Sequence, residues 1–523
     1  MRLIFTIVFS TLFGISFLCA QTKYPSSYER NDRFAFDDSD FLYYQEDYSS
    51  ALLGFQKLYT IDPSFPTINQ RIGACLLHLR RPVSEAMPYL EKAVNSGNKE
   101  ALFDYGVALH RSLKLDEAMK NLELYGAEEK RDKSDEELAR RRGMILESMR
   151  QLQHPVDVII KNLGPEINTA ASEYVPIITA DDKTLFFTAR RDDSTAKLKD
   201  PEGRYFEDVY FSTKVKDKWG KAVNIGRPIN TETHDAVVGT TVDGKSIIIY
   251  RTNAQLTGGD LYIVDKKGST WLEPVRLGKE INTEFQEASA CFSPDGKTLF
   301  FSSNRPGGLG GKDLYRVKRL PNGQWSLPKN LGGTINTPFD EDSPFMTEDE
   351  VLYFASSGHS TMGGYDLFKS QINSQSVWET PVNLGYPINT TGDDIFLSIN
   401  SGGKKGYFSS DRIGGFGLQD IYEVNFIYRA ERQIVIRGKV VDQSGKGMQA
   451  NLTVMDSNSH TLQGEYKSNV NTGEFIVVVN PLTRYSIKVE AEGYSSLLDE
   501  VEFQDNPEKL SVEAINPYVI IKE

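Results

Sequence analysis

The sequence predicts a multidomain protein with three folded parts in series: an α-helical repeat solenoid, a five-bladed β-propeller and a C-terminal β-sandwich. Three observations support this prediction. Helical spacing recurs with a period of 32 to 35 residues in residues 34–153, one motif recurs five times in residues 155–428, and short alternating strands occupy residues 432–523. Such periods are typical of repeat architectures, and 523 residues are too many for a single hydrophobic core.

The first part is predicted to consist of stacked helix pairs. Pairs of a small and a bulky residue recur four residues apart: Ala51 and Phe55, Ala86 and Leu90, and Ala118 and Leu122. This pattern resembles tetratricopeptide repeats, whose small residues let paired helices approach and whose bulky residues fill the gap. A capping box at Ser134 predicts a further, highly charged helix that ends the stack.

Helical stacks of this kind present a concave groove that receives a peptide or a partner helix. Polar and aromatic candidates in the first helices are Tyr43, Tyr44, Gln70 and Arg71. We therefore expect this part to bind partner proteins. The alternative is that the helices only brace the propeller.

The second part repeats a motif whose clearest copy is residues 293–315. Each copy follows an Ile-Asn anchor, and the five anchors are Ile167-Asn168, Ile229-Asn230, Ile281-Asn282, Ile335-Asn336 and Ile388-Asn389, spaced by 62, 52, 54 and 53 residues. In the clearest copy, a D-G-K turn between two apolar runs predicts a hairpin, and two more short strands complete the unit. Four antiparallel strands per unit, repeated, are typical of the blades of a β-propeller.

The ends of this part predict how the ring closes. The fifth unit supplies strands at residues 394–399, 405–410 and 420–426 but no fourth strand. An orphan apolar run at residues 156–160 precedes the first unit. We predict that the orphan run is the missing fourth strand, so that a ring of five blades is closed by both ends of the segment.

The third part has short strands separated by turns every 8 to 12 residues, which predicts a small β-sandwich. Its residues G-K-V-V-D-x-x-G-K-G-M at 438–448 and V-E-A-E-G-Y at 489–494 resemble the carboxypeptidase regulatory-like (transthyretin-like) domain. That resemblance implies a structural module.

The N-terminus predicts export. Arg2 is followed by an apolar run that ends at a cleavage site around Leu18 and Cys19, so residues 1–20 are predicted to be a secretory signal peptide. Lipidation of Cys19 is the alternative, although the bulky Leu18 stands where that processing needs a small residue. No later run has the 18 apolar residues that a membrane span requires.

Composition excludes several classes of function. The net charge of −13 argues against nucleic acid or an anionic membrane surface as the main partner. Six scattered histidines, with no nucleophile motif, phosphate loop or Cys/His cluster, predict neither a metal nor a cofactor. Cys75 and Cys291 lie in different parts, so we expect buried thiols and no disulfide framework.

A carboxylate stands five residues after every anchor asparagine. The five are Glu173, Asp235, Glu287, Glu341 and Asp394. Placed just before the innermost strands, they would form a ring around one mouth of the central channel. Such a ring would bind a cation or a basic partner segment, or hydrolyse sugars with a pair of carboxylates. The alternative, which we favour because the feature respects the repeat symmetry, is that each carboxylate accepts backbone N–H bonds within its own blade.

A second recurrent pattern predicts an ion pair within each blade. An arginine follows the second strand of four units (Arg190 or Arg191, Arg251, Arg305 and Arg412), and an aspartate opens every third strand (Asp208, Asp260, Asp313, Asp366 and Asp420). The fourth unit has His359 in place of the arginine and should lack the pair. The charged loop at residues 192–206 is predicted to be a solvated excursion.

The propeller units are similar to the WD-like repeat of TolB and of many exported Bacteroidetes proteins. The order of helical repeats, propeller and carboxypeptidase regulatory-like domain resembles the PorE-type periplasmic component of type IX secretion and gliding machinery. That family usually ends in an OmpA-like peptidoglycan-binding domain, and no such sequence follows the third part here, so cell-wall anchoring is not implied.

These observations together predict a non-enzymatic, exported scaffold at the periplasmic face of the outer membrane. Its partners would be envelope or secretion-machinery proteins that bind the helical repeats. The alternative is a glycan-active enzyme that uses the ring of carboxylates.

Overall fold

The computed structural model describes residues 23–241, 244–373, 375, 377–426, 434–457, 461–479, 484–502 and 512–522. The chain separates into two compact units, Met1–Phe426 and Ile427–Glu523. The predicted signal peptide, with Cys19, lies outside the described residues.

Seven described helices form the first part of the chain. They are α1 (Arg30–Tyr44), α2 (Tyr48–Tyr59), α3 (Pro66–His78), α4 (Val83–Asn95), α5 (Ala101–Arg111), α6 (Leu115–Gly126) and α7 (Asp135–Gln153). Helices α1 and α2, α3 and α4, and α5 and α6 pack as consecutive pairs, each pair contacts the next, and α7 packs on α6. Of the predicted capping box, the N-cap bond is present, because the Ser134 side chain accepts the backbone N–H of Glu137, while the Glu137 carboxylate pairs with Arg141.

Two glycines explain why the helix pairs repeat small residues. A Cβ atom at Gly73 would lie 2.4 Å from Leu90 Cγ, and one at Gly106 would lie 2.9 Å from Leu122 Cδ2. Both leucines are fully buried. A side chain at either glycine would therefore force the facing leucine to move.

Five antiparallel sheets follow. Sheet 1 contains β2 (Glu173–Ile178), β3 (Thr184–Ala189), β4 (Asp208–Val215), β5 (Lys218–Trp219) and β6 (Val223–Asn224). Sheet 2 contains β7 (Asp235–Thr240), β8 (Ser246–Thr252), β9 (Gly259–Lys267), β10 (Thr270–Trp271) and β11 (Val275–Arg276). Sheet 3 contains β12 (Ala290–Phe292), β13 (Thr298–Ser303), β14 (Asp313–Lys318) and β15 (Lys329–Asn330). Sheet 4 contains β16 (Glu341–Met346), β17 (Val351–Ser356), β18 (Asp366–Gln371) and β19 (Val382–Asn383). Sheet 5 contains β20 (Asp394–Ile399), β21 (Lys405–Ser410), β22 (Asp420–Phe426) and β1 (Val158–Asn162).

The five sheets form a closed ring with the arrangement of a β-propeller. The first strands contact one another in the order β2, β7, β12, β16, β20 and back to β2. Five hydrophobic clusters hold the ring, and each combines residues of two neighbouring sheets. The cluster that joins sheets 1 and 5, for example, contains Phe187 and Tyr407. Apolar burial between sheets is thus distributed around the whole ring.

The orphan run before the first unit pairs with the last strand, as predicted. Strand β1 runs antiparallel to β22, with Val158 opposite Phe426 and Asn162 opposite Tyr422. The strand begins two residues later than the predicted run at 156–160. Sheet 5 is therefore built from both ends of the ring.

The anchor asparagines join each sheet to the next. Asn282 donates from Nδ2 to the carbonyl of Leu261, at 2.9 Å, and accepts the N–H of the same residue at Oδ1, at 2.8 Å. Asn168 makes the same two bonds with Ile421 in the last sheet, at 2.9 Å each. One buried amide thus pairs with the third strand of the preceding sheet as a neighbouring strand would.

The C-terminal unit contains two four-stranded sheets. Its strands are β23 (Ile434–Val441), β24 (Asn451–Asp456), β25 (Leu462–Lys467), β26 (Glu474–Val479), β27 (Arg484–Glu490), β28 (Leu497–Glu502), β29 (Val512–Ala514) and β30 (Tyr518–Val519). One sheet has the order β26-β23-β29 with β30 also on β23, and the other has the order β25-β24-β27-β28. Buried residues of both sheets form one hydrophobic cluster.

The closure of the ring leads to a test with one side chain. We expect Asn168→Ala to destabilise the protein by about 2 kcal/mol, because the N–H of Ile421 would stay buried without a partner and its carbonyl would keep only the N–H of Leu163. Asn282→Ala, inside the ring, should cost a similar amount, and Asn322→Ala in an exposed turn should cost little. Denaturant unfolding of the three variants measures the difference. Unfolding of Asn168→Ala at the same denaturant concentration as the parent would mean that the ends do not close the ring.

Candidate functional site

The four candidate residues of the helical groove lie in one network centred on Arg71. The guanidinium of Arg71 donates to Asp40 Oδ1 at 2.7 Å, to Gln70 Oε1 at 2.8 Å and to the Tyr44 hydroxyl at 3.0 Å. It also lies 4.6 Å from the centre of the Tyr43 ring. Arg71 and Tyr43 are buried, whereas the Tyr44 ring is 62% exposed. Of the four residues, therefore, Tyr44 presents most surface to a partner.

The network extends from Gln70 to a buried carboxylate on α5. Gln70 Nε2 donates to Asp104 Oδ2 at 2.7 Å. Burial raises the pKa of Asp104 from 3.8 to about 6, because removal from water disfavours the charged form more than the bond from Gln70 stabilises it. Asp104 was not among the residues that we named from the sequence. One feature of the sequence could have indicated Asp104: it begins the repeat segment Asp104-Tyr105-Gly106.

Asp104 lines a cavity of about 510 Å³ between the helices and the loops of sheets 4 and 5. The helical side includes Phe103, Lys133 and Arg141, and the sheet side includes Gly392. Both walls belong to the same compact unit. The cavity is thus enclosed by the helices on one side and by the ring of sheets on the other.

Two ion pairs attach the helices to sheet 5. Arg111, the last residue of α5, donates to Asp411 at 2.7 Å, and its carbonyl accepts the Thr391 hydroxyl at 3.1 Å. Arg80, just after α3, pairs with Asp393. Asp411 and Asp393 are largely buried, so removal of either arginine would leave a poorly solvated carboxylate.

A neutral histidine links α5 and α7 to sheet 4. His110 Nε2 lies 2.9 Å from Ser148 Oγ, and this hydroxyl lies 3.0 Å from the carbonyl of Met362. Burial lowers the pKa of His110 to about 3, so the ring is uncharged at neutral pH. The helices therefore brace the ring. This is the bracing that we considered from the sequence as an alternative to partner binding.

Helix α1 carries an exposed aromatic stripe. Phe34, Phe41 and Tyr44 are 56%, 64% and 62% exposed. Their spacing of seven and three residues places them on one face of the helix. Large exposed aromatic side chains grouped on one face are typical of protein interaction surfaces.

The five carboxylates that follow the anchors are buried inside their own sheets. Each accepts both the N–H and the hydroxyl of the threonine four residues earlier: Glu173 from Thr169, Asp235 from Thr231, Glu287 from Thr283, Glu341 from Thr337 and Asp394 from Thr390. All five have essentially no exposed surface. The pKa of Glu173, Asp235, Glu341 and Asp394 is raised by burial, against the opposing hydrogen bonds.

The prediction that the arginines pair with the aspartates of the third strands is wrong. The arginines pair instead with the carboxylates at or just before the first strands: Arg191 with Glu173, Arg251 with Asp235, Arg305 with Glu287 and Arg412 with Asp394. Four of the five third-strand aspartates accept backbone N–H groups or an asparagine amide, as Asp313 does from Leu309, Gly310 and Asn330. These four aspartates are as fully buried as the acids that hold the arginines, and N–H donors of their own blade already occupy them.

Two exceptions to the repeat are informative. Arg190 pairs with Glu207 and Asp200, which identifies Arg191 as the repeat arginine. In sheet 2 the asparagine of the other units is replaced by Arg276, which pairs with Asp260 on the surface at 2.6 Å.

The fourth unit lacks the arginine, as the sequence indicated, and His359 takes part of its role. His359 Nε2 lies 2.8 Å from the carbonyl of Ile335, the position that Arg305 reaches in sheet 3 at Ile281. Glu341 receives the Ser356 hydroxyl at 2.7 Å, as Glu287 receives that of Ser303 at 2.6 Å, but it has no guanidinium partner. Burial lowers the pKa of His359, so its neutral form preserves the carbonyl bond but supplies no charge.

The loop at residues 192–206 is anchored at several points, although most of its residues are exposed as predicted. Asp200 pairs with Arg190 at 2.8 Å, and Asp193 accepts the Tyr210 hydroxyl at 2.6 Å. Phe206 is buried and stacks on His234 with the ring centres 4.2 Å apart. The loop therefore packs on sheet 1 instead of extending freely into solvent.

Cys75 and Cys291 are free and buried, as predicted. Within the described ranges, His, Cys, Asp and Glu side chains nowhere gather in threes as a metal site requires. Among the helices that the structure describes, none is long and apolar enough to cross a bilayer.

Comparison with known proteins gives only distant likenesses. No protein-family model matches the chain, and no curated protein matches it. A solved structure of a putative TolB from Agrobacterium tumefaciens is 16% identical, with 62% of this chain and 97% of that chain covered and a TM-score of 0.32.

Two further solved structures resemble separate parts. The type III secretion chaperone SycD of Yersinia enterocolitica, in complex with a peptide of the translocator YopD, is 19% identical over 25% of this chain and 100% of that chain, with a TM-score of 0.21. An α-L-arabinofuranosidase from Lactobacillus brevis is 11% identical over 50% of this chain and 91% of that chain, with a TM-score of 0.33. All three TM-scores are low, and the function proposed below therefore rests on the contacts of this chain.

Asp104 predicts a specific pH dependence of stability. The folded pKa of about 6 exceeds the unfolded value of 3.8, so the folded state holds a proton that the unfolded state releases between these pH values. The parent should therefore lose stability as pH rises from 4 to 6. Asp104→Asn cannot titrate, and its stability relative to the parent should increase by something on the order of 3 kcal/mol across this range. Asp116→Asn on exposed α6 is the control. A constant difference between Asp104→Asn and parent in unfolding at pH 4 and pH 7 would contradict the shift.

The arginine pairs predict unequal costs for two substitutions in sheet 2. Arg251→Met should destabilise the protein by about 3 kcal/mol, because Asp235 is fully buried and would lose its cation. Arg276→Met removes an exposed pair and should cost under about 1 kcal/mol. Chemical denaturation compares the two, and equal costs would show that burial does not set the contribution of the pair.

Proposed function

We propose that this protein is a non-enzymatic scaffold that binds partner proteins through the outer end of its helical groove. The aromatic stripe of α1 (Phe34, Phe41 and Tyr44) is the observation that supports this function most directly. A partner helix or extended segment would cover the stripe and reach the Tyr44 hydroxyl, which Arg71 holds in place at 3.0 Å. Aromatic rings of this kind give large contact area at small entropic cost.

The contacts between helices and sheets also fit a scaffold. Arg111 and His110 join the helical groove to sheets 5 and 4, so a partner on the groove is held at a fixed position relative to the ring. We propose that the five sheets are a five-bladed propeller and that the C-terminal unit is a β-sandwich. The ring would serve as the rigid body on which the partner site is displayed.

The proposed location is the periplasmic face of the outer membrane. The predicted signal peptide supports export, and the order of the three parts resembles the PorE-type component of type IX secretion or gliding machinery. The proposed partners are accordingly envelope or secretion-machinery proteins.

We propose a structural role for the five carboxylates at or just before the first strands. Each is engaged by its threonine, and four also hold an arginine. A catalytic pair needs one acid and one base in different environments, with access to substrate. These groups are instead buried and similarly bonded in every sheet, so no observation favours the glycan-active alternative.

A double substitution on α1 tests the partner site. Phe34→Ser with Phe41→Ser should remove most proteins that cross-link to the chain in its native envelope, because it removes the apolar contact area while both side chains are exposed in the parent. Mass spectrometry of the cross-linked proteins, with thermal unfolding as a check on the fold, measures the effect.

The matched control is Leu124→Ser with Leu146→Ser, since both leucines are exposed on α6 and α7, away from α1. We expect this control to keep the parental set of partners. If the double variant on α1 keeps that set as well, the partner site lies elsewhere and the proposed function fails in this form.

A further inference from the structure

The centre of the ring contains a pocket of about 130 Å³ that the proposed partner site does not involve. All five first strands line it, with Ile177 of β2, Val238 of β7, Cys291 of β12, Phe345 of β16 and Leu397 of β20. Its walls are thus mainly apolar. Because all five sheets contribute to these walls, the pocket lies on the axis of the ring.

The pocket lies at the end of the strands opposite to the helices. Its mouth includes Thr241 and Asn400, which begin the hairpin turns that follow the first strands. The helices contact the other strand ends, at Asp393 just before β20 and at Asp411 just after β21. The pocket and the helical groove are therefore separate sites.

Two serines that line the inner end of the pocket, Ser289 and Ser343, belong to a hydrogen-bond network around Asp342. Asp342 accepts Lys312 Nζ at 2.9 Å, Ser302 Oγ at 2.8 Å and the hydroxyl of Ser289. Ser289 Oγ also accepts the N–H of Ser343 at 3.1 Å. Ser289 and Ser343 line the pocket at this end, so the polar groups nearest the floor already have partners. A ligand whose buried tip is polar would find few free groups to bond, and an apolar tip is favoured.

The pocket is shaped by backbone in an unusual conformation. Val175 and Phe396 line it with φ angles of 53° and 61°, in the left-handed region that a β-branched or aromatic residue rarely adopts. Each interrupts the regular pairing of its strand. The N–H of Val175 is held by Ser409 Oγ of sheet 5, at 3.1 Å, so the conformation is fixed by the neighbouring sheet. The pocket is therefore preformed.

The mouth carries negative charge. Among its described lining residues the charged ones are Glu348 and Asp349, and both side chains are exposed at the turn after β16. Acidic groups at the entrance of an apolar pocket attract a ligand that has a cation beside its apolar group and repel one that has an anion there.

We propose that this axial pocket binds an apolar group of about the size of a benzene ring that lies next to a positive charge. A cavity of ~150 Å³ with apolar walls holds benzene, which is close to the volume available here. The required chemistry occurs in a phenylalanine beside a lysine or arginine in a partner segment, and in a free aromatic amine. The acidic residues at the mouth favour a cation. The polar groups at the inner end already have partners, which favours an apolar tip on the ligand.

The test uses the full chain labelled with ¹³C at the methionine methyl groups, because Met346 lines the pocket and Met362 lies at the opposite strand ends. The probes are phenethylamine, 2-phenylethanol, 3-phenylpropionate and the peptide acetyl-Lys-Phe-Lys-amide. We expect saturable ring-current shifts of the Met346 methyl signal, with Met362 unchanged. Affinity should fall by about threefold at each step from the amine to the alcohol to the carboxylate.

Two sets of variants test the charge at the mouth and the occupation of the pocket separately. Glu348→Gln with Asp349→Asn should reduce the preference for the amine over the carboxylate to less than about twofold. Ala180→Trp, at the half-buried mouth, should abolish the Met346 shift, and Thr240→Trp is a second plug if the first does not fold. Ala196→Trp, in the loop that packs on sheet 1, is the matched control and should bind like the parent.

Saturation by the peptide would indicate a partner side chain as the natural occupant, and saturation by phenethylamine alone would indicate a small molecule. Either result supports the assignment. An unmoved Met346 signal with every probe, a shift that survives both plugs, or a charge preference that survives neutralisation of the mouth would overturn it. None of these outcomes depends on the aromatic stripe of α1, so this proposal and the scaffold function fail independently.

Discussion

Each sheet of the ring depends on a buried asparagine for its attachment to the next. Asn282 replaces a strand neighbour for Leu261, because its single amide supplies both a donor and an acceptor. The next residue, Thr283, gives its N–H and hydroxyl to Glu287, which also holds Arg305. A short stretch that begins at each anchor therefore supplies hydrogen-bond partners to the turn, to the first strand and to the neighbouring sheet. The strong resemblance among the repeats follows from this shared demand, since each residue has partners that no other residue type would satisfy equally.

Because each of these hydrogen-bond sets lies within one unit or between two neighbouring units, a change in one unit leaves the others intact. His359 replaces an arginine but keeps the bond to the carbonyl of Ile335. Glu341 also keeps the bond from Ser356, the counterpart of the bond from Ser303 to Glu287, and so remains bonded without a cation. The repeat thus tolerates loss of a charge more readily than loss of a hydrogen bond, as expected where desolvation offsets much of the attraction within an ion pair.

The sequence contained enough information for the helix pairs, the hairpins and the pairing of the first and last strands of the ring. Strands at 394–399, 405–410 and 420–426 occur at their predicted positions because turns and alternating apolar runs define them locally. The partner of Arg251 was not predictable, since Asp235 and Asp260 both lie opposite it in register and only the other bonds of each acid decide between them. Contacts between helices and sheets were also missed, because periodicity does not indicate which surfaces meet. One signal was available: Arg80 and Arg111 stand one helical repeat apart, at the ends of α3 and α5.

The pairing of β1 with β22 has a consequence for the order of events during synthesis. Val158 leaves the ribosome long before Phe426, its partner in the finished sheet. Until the last strand arrives, β1 has two open edges while the helices before it can already pack. A contact between such distant residues also forms slowly, because a long loop must close before the contact contributes any stability. The C-terminal strand of the ring, and not its first, thus determines when the five sheets become a cooperative unit.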